Sequence, residues 1–166
     1  MKKTFYFFAF IGSLMLVSCN QGAKDNAKQL ADSLENEKNY GDKCYTAIYE
    51  TDTATMKIRT DEKGKVTGDL IINFGELKPN TLEKILNQGQ IAGNFRGDTL
   101  FADYSYTSGT INKTVFKNPL AFLKKGDKLI LGVGDIETYV GKTYFVTNKP
   151  INFEIARFQF EPVECK

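Results

Sequence analysis
The chain has 166 residues, enough for one domain with a substantial core, and a formal net charge of +2 at pH 7. Two of its cations, Lys2 and Lys3, stand at the extreme N-terminus, and the rest of the chain is balanced in charge, so nothing points to nucleic acid or to an anionic membrane surface. It contains no histidine and no tryptophan, which excludes histidine-dependent triads, histidine metal ligands and the commonest general base.

The first segment reads as an address. Lys2 and Lys3 precede an apolar run from Phe5 to Val17. The run is short for a membrane span, which needs about 20 apolar residues, and it has the n-region and h-region of a secretory signal. It ends in Leu16-Val17-Ser18-Cys19. That sequence resembles the lipobox of bacterial lipoproteins. The resemblance implies cleavage before Cys19, acylation of the Cys19 thiol by a group such as palmitate, and acylation of the new N-terminus. Residues 1–18 are then a lipoprotein signal peptide. Asn20 in place of Asp favours the outer membrane by the habit of that family, and leaves open the periplasmic or the cell-surface face. Two or three acyl chains anchor firmly where one does not, since each buried CH₂ contributes about 0.8 kcal/mol.

Residues 19–42 are polar and read as a flexible tether. Within it Ala27, Leu30, Ala31 and Leu34 have the spacing of a short amphipathic helix with a thin apolar face.

From Lys43 onward the pattern has period two. Ala54, Met56 and Ile58 alternate with Thr, Lys and Arg, and Val66, Gly68, Leu70, Ile72 and Phe74 follow the same rule. Ile91, Gly93 and Phe95 share a face, as do Leu100, Ala102, Tyr104 and Tyr106. Two further runs, "LAFLKK" and "KLILGVG", lead to a closing run that ends at Cys165. Such alternation predicts half-buried antiparallel strands. Glycines at 68, 93, 132 and 134 would let the sheet coil toward closure. In the closing run Ile151, Phe153 and Ile155 share one face and Phe158 and Phe160 the other, which predicts a bulge or corner. Between two strands, "ELKPNTLEKILNQG" has Leu82, Ile85 and Leu86 at helical spacing and predicts one short helix.

Arg96-Gly97-Asp98 has the letters of an adhesion signal. Lys125-Gly126-Asp127 stands in an equivalent place between alternating runs without the arginine. Both read as hairpin turns, in which Gly accepts positive φ and Asp bonds local amides.

If Cys19 is lipidated, Cys44 and Cys165 remain as an even pair in an exported chain. They flank the strand-forming region, and a disulfide between them would join its first and last strands; two free thiols are the alternative.

Residues 43–166 form the expected β-barrel domain, and within it the stretch from Cys44 to Cys165 resembles a family of small, uncharacterised bacterial lipoproteins. The match rests on Cys44-Tyr45, on the run from Gly64 to Leu70, on Gly97 to Tyr104, on Ala121 to Asp127, and on the C-terminal cysteine. At the level of fold the pattern is similar to lipocalin-like, calycin-type barrels. The tryptophans that lipocalins and avidin-like barrels use are absent. The expected fold is therefore all-β, an antiparallel meander barrel of about eight strands with one short helix and a lipidated N-terminal tether.

Chemistry is sparse. Asp61, Glu62, Asp135 and Glu137 fall in turns without the spacing of a calcium loop. Asp103 reads as the only carboxylate inside a well-defined strand, on its outer face. Ser105 and Ser108 have no nucleophile-elbow context, and Gly132-Val133-Gly134 does not precede a helix. No catalytic residue, metal ligand or cofactor is expected, and an enzyme is not. The expected role is binding a small apolar ligand inside the barrel, with Tyr104 and Tyr106 as the contacts because a buried phenol needs a partner. The alternative is an accessory or inhibitor domain that binds an envelope protein or glycan through its outer surface. The expected partners are the membrane, through the lipid anchor, and that ligand or envelope protein; no nucleic acid is expected.

Replacing Cys19 tests the address. In Cys19→Ser, labelled palmitate is expected to be absent from the protein and uncleaved precursor to accumulate, while the wild type takes up label. Equal labelling of both would refute acylation at this residue.

Overall fold
A computed structural model of the chain describes residues 28–30, 40–75, 85–111, 113–140 and 142–166. The signal segment, Cys19, most of the 19–42 segment and the greater part of the expected helix lie outside these residues. Residues 40–166 form one compact unit.

Among the described residues ten strands run in chain order: β1 (Lys43–Tyr49), β2 (Asp52–Thr60), β3 (Lys65–Asn73), β4 (Leu86–Arg96), β5 (Thr99–Ser108), β6 (Val115–Lys125), β7 (Lys128–Leu131), β8 (Ile136–Tyr139), β9 (Lys142–Phe145) and β10 (Gln159–Val163). Eight of them close an antiparallel barrel in the order β1-β10-β7-β6-β5-β4-β3-β2. The remaining pair, β8 and β9, forms a separate hairpin. The barrel is thus an up-and-down meander, interrupted once by an excursion between β7 and β10.

Side-chain alternation fixes which face is inside. Tyr45 opposes Met56, Met56 opposes Leu70, Ile91 opposes Tyr104, Leu100 opposes Phe122 and Leu129 opposes Phe160. All of these are buried. Gly68 and Gly93 are set against Ile91 and Val66 on this inner face, so β3 and β4 place a small residue opposite each of these branched ones. A Cβ on Gly68 would press into the backbone carbonyl of Lys57, and one on Gly93 into that of Phe101. The two positions admit only glycine because neighbouring backbone occupies the space, and the close approach lets an eight-stranded ring tighten. The sequence echo around these two glycines is the sign of adjacent strands with the same packing problem.

The two ends of the barrel differ. One carries the tight β2–β3, β4–β5 and β6–β7 turns, the start of β1 and the end of β10. It is called here the staple end. In the first turn Asp61 Oδ1 accepts from the amides of Lys63 (2.9 Å) and Lys65 (2.8 Å), and Gly64 has φ +78°. Gly97 and Gly126 also have positive φ, +59° and +64°, so Arg96-Gly97-Asp98 is a hairpin turn of the same kind as Lys125-Gly126-Asp127. Cys44 is disulfide-bonded to Cys165, with the Cα atoms 5.2 Å apart. Just before β1, Asp42 holds Lys57 Nζ at 2.8 Å and Arg59 Nε at 2.7 Å. Those hydrogen bonds, from Lys57 first and then Arg59, pull its carboxyl below the usual range. The other end carries the β3–β4 and β5–β6 loops and the long passage from β7 to β10, and is called the loop end.

Four expectations are corrected. Leu86 to Gly89 belong to β4, not to a helix, because their backbone pairs with β3 and β5. Gly132 and Gly134 lie beyond β7, and they make room for Ile151, Phe153 and Phe145 rather than bending a strand. The closing strand is only β10. The change of phase between Phe153 and Phe158 marks the chain crossing from the barrel's outer surface to its interior, not a bulge. Asp103 is not the only strand carboxylate, since Asp52 and Asp69 also lie in strands.

The disulfide closes a loop with a sequence separation of 121. Removing it with Cys44→Ala and Cys165→Ala together is expected to lower stability by roughly 2–5 kcal/mol, measured by urea unfolding without reductant. A loss well below that range would show that the β1–β10 ladder closes the barrel unaided.

Candidate functional site
Tyr104 and Tyr106 stand side by side on the inner face of β5. Their rings stack at 4.5 Å between centroids and 13° between planes. Tyr104 is buried at the waist and donates its hydroxyl proton to the Leu70 carbonyl at 3.0 Å. Tyr106 is half-buried nearer the loop end, where its hydroxyl accepts from Asn118 Nδ2 at 3.1 Å. The structure therefore brings the two expected contact residues together, and gives each hydroxyl a protein partner. Around them Leu70, Leu100, Val66, Phe122 and Phe160 present no surface to water. Side chains pack the waist at these positions. Asn87 Oδ1, on the inner face toward the loop end, is buried without a hydrogen-bond partner among the described residues. Phe95, expected in the interior, sits at the staple-end rim and is 36% exposed.

Burial raises the Tyr104 phenol far above its ordinary 10.0, and the neighbouring Tyr106 adds to the effect. Tyr45 is raised by burial, and secondarily by Asp127. Both protons stay on in the folded protein at a pH where unfolded tyrosines lose theirs.

Outside the barrel the excursion builds a second layer. Val133 and Asn152 exchange backbone hydrogen bonds, both 2.8 Å. Asp135 accepts from the Val146 amide at 2.8 Å and pairs with Lys149 Nζ at 2.6 Å, which raises the lysine pKa. Ala121 points outward from β6 yet is fully buried, because this layer covers it. The hairpin tip stands free: Tyr139 is 74% exposed and Val140 84%. Val140 has φ +49°, a left-handed conformation that strains a β-branched residue by about 1–3 kcal/mol.

Two clefts result. The first lies at the seam between β1 and β10. Their ladder stops after three pairs, at Thr46 opposite Glu161. Beyond it the strands part around a cleft of about 490 Å³ lined by Tyr49, Arg157 and Gln159, among others. The Arg157 guanidinium lies 4.8 Å from the Tyr49 ring centroid and 3.5 Å from Asp52 Oδ2. Asp52 is buried, and its other oxygen accepts from the Gly75 amide at 3.0 Å. It caps the barrel wall at this seam. The alternation read from Ala54 onward does not reach Asp52 and gives no sign of its burial.

The second cleft, of about 410 Å³, lies between β9 and the outer faces of β4, β5 and β6. Its floor has the cross-strand pair Asn94–Phe101 and the row Ala92–Asp103–Pro119. Asn94, Arg96, Phe101, Asp103, Pro119 and Tyr144 line it, with Thr143 and Phe145 beside them. Arg96 lies over the Phe101 ring, 5.2 Å from its centroid. Asp103 is paired with Lys117 at 2.9 Å. Among the described residues no three carboxylates or cysteines converge as a metal site would require.

Comparison with protein-family models, with curated proteins and with solved structures finds no match to this chain.

Tyr104→Phe is expected to cost about 1 kcal/mol, the usual worth of one buried hydrogen bond. The raised tyrosine pKa values give stability that is complete below pH 10.0 and declines as pH rises beyond it, since only the unfolded chain then releases protons. Urea unfolding from about pH 8 to about pH 11 should show that decline, and a shallower one in Tyr104→Phe. Identical slopes in the two proteins would refute the assignment to Tyr104.

Proposed function
We propose that the chain is a lipid-tethered, non-enzymatic binding protein of the bacterial outer membrane that works through the outer surface of its barrel, as an accessory or inhibitor domain for an envelope component. The tether reading comes from the signal-like segment and Cys19 in the sequence. The binding reading rests on one observation: the waist is packed with side chains, while Ile136, Tyr139, Val140 and Tyr144 stand exposed on the excursion. Apolar residues grouped on a surface mark interaction sites more often than isolated ones do. Three of the exposed carboxylates have partners within the fold. Asp61 caps a turn, and Asp103 and Asp135 are paired with lysines.

A photo-cross-linking residue at position 139 tests this reading in cells. Discrete adducts are expected there and not at Thr67, on the outer face of β3. In parallel, purified protein titrated with the apolar dye phenylnaphthylamine is expected to show no saturable binding. Saturable dye binding, abolished by Tyr106→Ala and accompanied by no adducts at position 139, would overturn the outer-surface reading and restore an interior site.

A further inference from the structure
We propose that the cleft between β9 and the β4–β6 wall is a saccharide subsite that takes an oligosaccharide bearing an anionic group. Arg96 would hold that group, and Tyr144 would lie against the sugar's apolar face. This rests on the outer-surface reading and names the ligand class for it.

The argument begins with what a sugar ring requires. Its C–H face is apolar, and its rim carries hydroxyls that both donate and accept. A complementary site sets aromatic surface beside side chains with both capacities. Here Phe101, Tyr144 and Phe145 supply the aromatic surface. Asn94 brings an amide that donates and accepts, Thr143 a hydroxyl, and Asp103 acceptor oxygens. Tyr144 is 46% exposed, and its hydroxyl has no hydrogen-bond partner among the described residues. The cleft volume of about 410 Å³ falls within the range of ligand sites, roughly 300–1,000 Å³.

The charge balance selects the anionic class. Asp103 is already neutralised by Lys117, whereas Arg96 has no ion-pair partner among the described residues. The cleft therefore keeps one positive charge in excess. The Arg96 guanidinium also lies over the Phe101 ring, 5.2 Å from its centroid, and its planar donor fork suits a carboxylate or phosphate. A neutral sugar would use the aromatic surface and the amide but leave the guanidinium idle.

Calorimetric titration of the intact protein in detergent tests the proposal. The probes are a hyaluronan tetrasaccharide, whose alternate residues carry carboxylates, and neutral chitotetraose. The acidic sugar is expected to bind more tightly. Arg96→Gln should weaken it by about tenfold while changing chitotetraose by no more than about twofold. Tyr144→Ala should weaken both by about tenfold, with circular dichroism confirming that each variant is folded. If neither sugar binds, or if binding is indifferent to both substitutions, the saccharide subsite is wrong. If Tyr144→Ala acts but the two sugars bind alike and Arg96→Gln does nothing, the anionic assignment is wrong. Adducts at position 139 without any saccharide binding would leave the outer-surface reading standing and remove only this one.

Discussion
Ring closure is the constraint on which the rest of this molecule depends. An open eight-stranded sheet would expose two edges and leave its apolar face uncovered. Closing it fixes the bore, and at eight strands the bore is just wide enough for side chains to fill. The closing element is β10, which meets β1 over three residue pairs and β7 over two. The other barrel ladders run from four to ten pairs. The weakest ladders in the ring are therefore those that close it. The Cys44–Cys165 bond and the Asp42 clamp both lie at that seam. Phe158 and Phe160, brought in by β10, complete the core beside Phe122.

Closure also explains why the outside of the barrel is elaborate. A waist packed with side chains leaves its walls and ends as the places where the fold presents other chemistry. Residues 132–158 leave the ring at the end of β7, cross the outer wall, and return to the interior at Phe158. On the way they bury Ala121, form one wall of a cleft and lift a hairpin tip into solvent. The same stretch leaves the seam open beyond Thr46, because the chain reaches β10 only at Gln159. Both clefts are thus products of one excursion.

The barrel was legible in the sequence because its signal is local. Alternation along 54–58, 66–74 and 100–106 reports the pleat directly, and Gly-Asp pairs mark two of the turns. The hairpin of β8 and β9 escaped that reading because each strand has only four residues, too few for period two to stand out. A weaker signal was present: Val140 and Gly141 separate two short runs rich in Thr, Tyr and aliphatic residues, which is a hairpin pattern. The second cleft was not legible at all. It joins Asn94 and Arg96 to Tyr144, far apart in the chain, and nothing in either segment announces the other. Tyr104 and Tyr106 were found as a pair because they lie two apart on one strand. Their partners, the Leu70 carbonyl and Asn118, come from other strands and decide what the hydroxyls are free to do.

The position of the staple also bears on how the barrel answers force. A pull from the N-terminal side arrives at Lys43, where β1 would begin to peel from its neighbours one hydrogen bond at a time. Peeling is the weak direction of a sheet, because the bonds break in turn and never together. The disulfide at Cys44 meets that pull after a single residue and passes it to the last strand. Beyond that point the load is shared across the closed ring. A barrel built this way resists peeling of β1 when tugged from its N-terminal side.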